Sequence, residues 1–290
     1  MSSLSDAAQP VGVIVRLTIR EAQRRRLLWI GLALGVVFIT VFTIGFYFIF
    51  QDLQRFRGNT PMIAESISIG FLTAGLYVSN FLVIMVTVLT SVGSISSEIA
   101  DNTIHAIAAK PLHRWQIVLG KWIGHAVLLA IYAAVLCLGL ITAVWAISGI
   151  LPPNVPGVVS ILILESLTAL SLTMLGSTMF STLANGVVAF MLYGVAFVGG
   201  WVEQIGTAFN SQTAVDLGIL SSLLMPSEAL WRYAAAIMQP PGLAGVGAAT
   251  VGPMGGLIAS RPSPAFLVYT AIYVLGLLGA AMWSFNRRDF

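Results

Sequence analysis

Six long stretches with few or no charged residues decide what this chain folds into. A transmembrane helix needs about 20 predominantly apolar residues to cross about 30 Å of hydrocarbon. Hydrophobic residues make up 58% of the chain, charged residues only 9%, and the mean hydropathy is +0.93, which excludes a soluble globular fold. The stretches are continuous rather than alternating, which excludes a transmembrane β-barrel. We predict an all-α integral membrane protein with six transmembrane helices, at about residues 27–50, 66–95, 117–151, 158–183, 186–202 and 264–285.

The distribution of Lys and Arg among the connecting segments predicts the orientation. With the N-terminus inside, the inner segments carry 10 of these residues and the outer segments carry four, namely Arg55, Arg57, Arg232 and Arg261. Positive charge stays on the cytoplasmic side, so we expect both termini to be cytoplasmic. The first apolar stretch is too long for a cleavable signal and has no small-residue cleavage pattern behind it, so we expect it to remain in the protein. The pI of about 9.2 reflects this bias, and we predict no nucleic-acid partner.

Residues 11–27 have the periodicity of an amphipathic helix. One face of a 3.6-residue wheel is apolar or neutral and another carries arginines; the first face holds Val11, Ile14, Val15, Thr18, Ile19 and Ala22. A helix of this kind lies at the headgroup level and leads into a span. We therefore predict an N-terminal interfacial elbow helix; the alternative is a positively charged flank.

The longest segment outside the apolar stretches is 203–263, before the sixth span. Pro226 suits a helix start, and Leu230, Ala234 and Ile237 recur on one face after it. Residues 240–264 are rich in Gly and Pro and are expected to be irregular. We predict a re-entrant or outer helical region here, and a single domain over residues 1–290.

A polar segment at 96–116 separates the second and third spans. Asp101, Asn102 and Thr103 are all residues that cap helix N-termini, so we expect a short helix over 104–109. Pro111 ends it, because proline has no backbone N–H and disfavours helix at Lys110. The alternative is an ordinary positively charged loop, which needs neither a run of caps nor the acidic residues Glu98 and Asp101.

This segment resembles a known family. Its pattern E-x4-T…P-x2-R-x5-G-K, formed by Glu98, Thr103, Pro111, Arg114, Gly120 and Lys121, is similar to that of permease subunits of ABC-2 type transporters. In that family the loop is the coupling helix that docks on the ATP-binding subunit. The resemblance implies coupling roles for Glu98, Asp101, Asn102, Thr103, His105, Lys110, Pro111 and Arg114. One departure is Asn102, where the family usually has Gly; Asn tolerates left-handed backbone geometry better than most residues.

The resemblance also implies what this chain lacks. No G-x4-G-K-[ST] phosphate loop occurs, so we expect no catalytic residue and no cofactor in this chain, with ATP and Mg²⁺ on a partner ATPase. The expected partners are an ABC ATP-binding subunit, a second permease copy or paralogue that completes a dimer, and membrane lipid. The expected activity is export, and the expected location is a bacterial or archaeal plasma membrane.

Glu165 is the acidic residue that falls within a predicted span. A charge there costs a few kcal/mol unless it faces a cavity or a partner, so Glu165 is a candidate for the substrate path. The alternative is a structural hydrogen bond or a protonated carboxyl. The histidines lack partners at metal-ligand spacing, and we predict no metal site. Two other classes stay open: a proton-coupled secondary carrier, which usually has more intramembrane ionisable residues, and a polytopic membrane enzyme, which needs several convergent polar residues.

Overall fold

The computed structural model of the chain describes residues 2–24, 26–55, 61–100, 113–239 and 262–287. Within these ranges the chain forms helices and no strands: α1 (Ser2–Arg24), α2 (Arg26–Arg55), α3 (Pro61–Ser91), α4 (Ser96–Ala100), α5 (Arg114–Ser148), α6 (Val155–Met179), α7 (Thr182–Ala208), α8 (Gln212–Leu224), α9 (Ser227–Met238) and α10 (Ala265–Asn286). Six are long and apolar enough to cross a membrane: α2, α3 continued to Glu98, α5, α6, α7 and α10. The predicted all-α protein with six transmembrane helices is therefore confirmed.

The turn between the fourth and fifth spans lies earlier than predicted. Helix α6 ends at Met179 and α7 begins at Thr182, with Ser181 as the N-cap whose hydroxyl accepts the N–H of Ala184 at 3.5 Å. The predicted spans 158–183 and 186–202 placed a turn at residues 184–186. That prediction was wrong because Asn185 is a buried residue of α7, 2% exposed, rather than a turn residue.

The N-terminal helix α1 packs against α5 through small residues. A Cβ added to Gly120 would lie 2.7 Å from the Ile14 side chain, and one added to Gly124 would lie 2.7 Å from Thr18. The predicted face is the one that packs, since Ile14, Thr18 and Ala22 are buried. The helix covers Ser2–Arg24 rather than 11–27, and its position at the headgroup level stays a prediction.

Helices α3 and α6 form the centre of the bundle. In each of them 61% of the most apolar window is buried, against 17% in α2 and 22% in α10, which present most of their surface outward. Their buried faces carry many hydroxyl side chains, and one pair joins the two helices directly: the Ser91 and Thr173 hydroxyls are 2.6 Å apart. Small polar residues of this kind allow close helix packing within a membrane.

Helices α8 and α9 form a re-entrant pair, the name used below for residues 212–238. Helix α8 runs back along α7: Ala214 packs at Gly206, near the end of α7, and Ser221 packs at Gly199. Helix α9 then runs back along α7 and α6, where Glu228 packs at Gly200 and Trp231 shares a buried cluster with Ile161. The turn between α8 and α9 places Met225 in a buried cluster with Ile84 and Val88 of α3. The sequence predicted a re-entrant or outer helical region here; the helices are observed, and their position relative to the membrane stays a prediction.

Candidate functional site

A buried lysine connects the two helices that flank the polar segment at residues 96–116. Lys121, on the second turn of α5, is 6% exposed, and its Nζ lies 2.5 Å from Glu98 Oε1. The same Nζ donates to the backbone carbonyl of Ser94. Because Glu98 follows α3 and Lys121 belongs to α5, this ion pair joins the two sides of the segment that the sequence predicted to be the coupling loop.

The end of α3 is also tied to the turn between α6 and α7. The side-chain amide of Asn185 donates to the carbonyls of Val92 and Thr173, each at 2.9 Å. The hydroxyls of Ser96 and Thr182 are 2.7 Å apart. The bond to Val92 satisfies a carbonyl group where α3 ends. The residues that follow α3 are therefore bonded to α5 through Lys121 and to α7 through Asn185 and Thr182.

Two of the predicted coupling residues lie in the described part of the chain. Glu98 forms the ion pair, and Arg114, half-buried, is the first residue of α5. Just before it, the His113 N–H donates to the Gln116 side chain at 3.0 Å. The remaining predicted coupling residues lie outside the described residues; these are Asp101, Asn102, Thr103, His105, Lys110 and Pro111.

Glu165 lies in the middle of the bundle and is completely buried. The Asn80 side chain of α3 donates to Glu165 Oε1 at 2.9 Å. Glu165 Oε2 and Asn80 Oδ1 are both enclosed and have no hydrogen-bond partner. Across the described ranges, no salt bridge reaches Glu165. Two acceptor atoms without a donor are costly in an apolar interior, so this pair is incomplete as it stands.

Aromatic side chains and the Glu228 carboxyl lie around the pair of Glu165 and Asn80. Tyr77, one turn before Asn80, packs against Trp231 of α9 with ring centroids 5.2 Å apart and accepts a bond from Trp201 Nε1 at 3.4 Å. Glu228 lies at the start of α9, where its side chain packs at Gly200 of α7. The re-entrant pair thus brings polar groups into the interior of the bundle.

Glu228 is nearly buried, 7% exposed, on a helix that is not one of the six spanning helices. Burial raises the pKa of its carboxyl to about 7; Arg232 opposes this shift and Glu203 adds to it. Glu228 is therefore protonated more readily than an exposed glutamate.

Glu203 and Arg232 form a bidentate ion pair between α7 and α9. Arg232 Nη1 lies 2.6 Å from Glu203 Oε1, and Nη2 lies 2.7 Å from Oε2. Both side chains are buried: that of Arg232 is 3% exposed and that of Glu203 is 6% exposed. Arg232 Nη2 also lies 3.4 Å from the Ser222 hydroxyl of α8. Parallel N–H···O bonds of this kind fix relative orientation. The ion pair of Glu203 and Arg232 therefore holds the re-entrant pair of helices against α7.

Sequence reasoning found Glu165 but missed Asn80, Glu203, Glu228 and Arg232. Glu203 and Arg232 looked like residues of an outer segment, because the return of the chain into the bundle is a tertiary feature. Within the described residues, no group of three or more His, Cys, Asp and Glu side chains is arranged to hold a metal ion.

Comparison of the sequence with known proteins gives a family match. The family model described as ABC-2 family transporter protein matches residues 13–290, nearly the whole chain. No curated protein matches the sequence significantly. The family match therefore spans all six apolar helices, the Glu98–Lys121 ion pair and the re-entrant pair.

Proposed function

Because this chain belongs to the ABC-2 family of transporter proteins, we propose that it is the permease subunit of an ATP-driven exporter. A separate ABC subunit binds ATP and Mg²⁺ and hydrolyses the nucleotide, and this chain forms the path through the membrane. The observation that carries the proposal is the family match over residues 13–290 together with six apolar helices. Two copies, or one copy and a paralogue, complete the transporter in the plasma membrane of a bacterium or archaeon.

The proposed contact with the ATPase is the polar segment at residues 96–116. Motion of a docked loop does mechanical work only if the loop is anchored to the helices. The Glu98–Lys121 ion pair and the Asn185 bonds supply such anchors, at α5 and at the turn between α6 and α7. The roles of Asp101, Asn102, Thr103, His105, Lys110, Pro111 and Arg114 in docking are part of this proposal.

The proposed substrate path passes Glu165. Its unpaired Oε2 and the unpaired Asn80 Oδ1 are acceptor atoms that a donor group of a substrate, or a proton, can satisfy when the helices separate. A buried structural carboxyl would instead be expected to have all of its acceptors paired. This difference is the reason for placing Glu165 in the path.

The direct test is purification of the tagged, full-length chain from its native membrane in a mild detergent. We expect an ABC ATP-binding subunit to copurify, and Mg²⁺-dependent ATP hydrolysis to follow that subunit and to be lost when it is washed away. The chain alone should bind no ATP. Nucleotide binding by the isolated chain, or transport driven by a pH gradient without any ATPase, would contradict the proposal and favour the enzyme or the secondary carrier.

Orientation is tested with single cysteines in a Cys137→Ser background. A cysteine at Asn286 is expected to be shielded from a membrane-impermeant thiol reagent in intact cells, and one at Gly149, in the turn after α5, is expected to react. Labelling at position 286 with protection at 149 would reverse the proposed topology.

A further inference from the structure

An apolar cavity of about 280 Å³ lies beside α5, between the end of α1 and the start of α2. Its walls come from α1, α2, α3 and α5, and they include Leu28, Trp29, Leu32, Val86, Leu128 and Ile131. Ile131 is 58% exposed and Trp29 is 60% exposed, so the cavity opens sideways, toward the lipid. Its lining includes none of the residues of the Glu165 site and neither member of the Glu98–Lys121 ion pair.

The cavity exists because α1 and α2 contact α5 at different levels. Helix α1 is held to α5 at Gly120 and Gly124, where side chains on those positions would collide with Ile14 and Thr18. Helix α2 is held to α5 further along: a Cβ at Gly35 would lie 2.8 Å from Leu136. Between these two close contacts the helices diverge, and no side chain of the described residues fills the gap.

Four polar groups of the walls are engaged within the protein, and one of them is His125, whose Nδ1 lies 2.9 Å from the Lys121 carbonyl. The Tyr132 hydroxyl donates to the Gly31 carbonyl at 3.0 Å, and the Thr90 hydroxyl donates to the Val86 carbonyl at 2.7 Å. The Trp29 indole N–H donates across the break between α1 and α2 to the Gln23 carbonyl at 2.8 Å. The cavity therefore offers contact area and little hydrogen bonding, which suits a hydrocarbon chain rather than a polar molecule.

Positive charge flanks the same gap. Arg20 and Arg24 lie on the last turns of α1, Arg26 begins α2, and all three are exposed. Gln23 and Leu28, which line the cavity, are their neighbours in sequence. Arginine binds phosphate through paired N–H groups, and basic residues at a membrane surface attract anionic lipids.

We propose that this cavity binds one acyl chain of an anionic phospholipid, whose phosphate group is held by the arginines at the junction of α1 and α2. The lipid fills the space that the two glycine contacts leave open and fixes α1 to the start of α2. The proposal does not depend on the ATPase partner.

The experiment is native mass spectrometry of the full-length chain after delipidation and exposure to detergent micelles that contain phosphatidylglycerol or phosphatidylcholine with the same acyl chains. We expect one phosphatidylglycerol to be retained per protomer, and phosphatidylcholine to be retained at least about tenfold more weakly. Equal retention of the two lipids would overturn the role of the arginines.

Two pairs of variants locate the site. Ile131→Trp fills the cavity mouth and should weaken lipid retention about tenfold or more, as the loss of about two buried methylene groups would. The matched control Val127→Trp places the same side chain on an exposed position of α5 that does not line the cavity, and it should retain the lipid. Arg24→Gln with Arg26→Gln should abolish the preference for phosphatidylglycerol, whereas Arg16→Gln should not.

Three results would overturn the proposal. The first is unchanged retention in Ile131→Trp, which would place the lipid elsewhere. The second is equal loss in Val127→Trp, which would indicate nonspecific binding. The third is a cavity occupied by a transported molecule or by a second copy of the chain, detected as a different bound mass.

Discussion

Two buried carboxyl groups of this protein differ in their partners. Glu203 faces Arg232 through two short bonds, and Nη2 of Arg232 also lies near the Ser222 hydroxyl. Glu165, which is more deeply buried, receives one bond from Asn80 and leaves Oε2 and the Asn80 Oδ1 unpaired. Both oxygens of the Glu203 carboxyl are paired with a cation, whereas one oxygen of the Glu165 carboxyl has no partner, although both residues lie in the same bundle.

This difference distinguishes a carboxyl group that stabilises the fold from one that is a candidate for function. A bidentate pair leaves no capacity for a ligand and holds its two helices in one orientation, so Glu203 and Arg232 are suited to fixing the re-entrant pair. An ionisable residue inside the membrane whose carboxyl is only partly paired is a candidate for function. We therefore propose Glu165 for the transport path and Glu203 for the scaffold.

The largest effect is expected from breaking the ion pair of Glu203 and Arg232. Arg232→Met leaves the Glu203 carboxyl buried without a counter-charge, which should lower the free energy of unfolding by about 3–5 kcal/mol. Thermal unfolding in detergent measures it. The double variant Glu203→Gln with Arg232→Met should recover most of the loss, and Arg55→Met, at an exposed pair with Asp52, should have little effect. A loss no greater than that of Arg55→Met would remove the distinction between the two sites.

A pH dependence is expected from Glu228, which lies between the two sites. Burial raises its pKa from 4.5 to about 7, so the folded state binds more protons than the unfolded state across that interval. Its contribution to stability is therefore full below about pH 4.5, falls as the pH rises to 7, and amounts to about 3 kcal/mol at most. Unfolding midpoints between pH 5 and 8 measure it, and Glu228→Gln should remove this part of the slope. An unchanged slope in Glu228→Gln would show that other groups cause it.

A smaller effect is expected where the re-entrant pair packs most closely on α7. A Cβ at Gly218 would overlap the Glu203 side chain and lie 2.8 Å from the Gly199 carbonyl oxygen, whereas a Cβ at Gly194 meets nothing within 4 Å. Gly218→Ala should therefore cost about 1–3 kcal/mol of stability, and Gly194→Ala should stabilise α7 by about 0.5–1 kcal/mol. The two variants are compared by thermal unfolding. Equal effects would mean that the re-entrant pair is loosely packed.

The smallest change in stability is expected at the incomplete site. Glu165→Gln keeps an acceptor for Asn80 and adds an amide donor, so the unfolding free energy should change by less than about 1 kcal/mol. ATP turnover by the native complex should nevertheless change, because the ionisable group is lost. Asp216→Asn, at an exposed position on α8, serves as the control. Wild-type turnover in Glu165→Gln would make Glu165 a structural residue.

Much of the fold followed from the sequence, because hydropathy over a span and 3.6-residue periodicity are local signals. Six helices and the packed face of α1 belong to this group. Asn185 and Gly186 predict a turn, because Asn-Gly is a local turn signal. In the folded chain Asn185 lies in α7 instead, and its side-chain amide donates to two backbone carbonyls of other segments. Glu203 and Arg232 lie 29 positions apart. Asn80 looked like one polar residue among many in α3. Partners of this kind are set by tertiary packing, which no local pattern encodes.

We propose that ATP used by a partner subunit moves the helices around Glu165 through the anchor at Glu98 and Lys121. The measurement is the reactivity of a Glu165→Cys variant, in a Cys137→Ser background, toward a membrane-impermeant thiol reagent in vesicles that contain the native complex. We expect labelling only when Mg²⁺-ATP is supplied, and loss of that labelling when Lys121→Met is added. Labelling that is equal with and without ATP, or unaffected by Lys121→Met, would contradict the account.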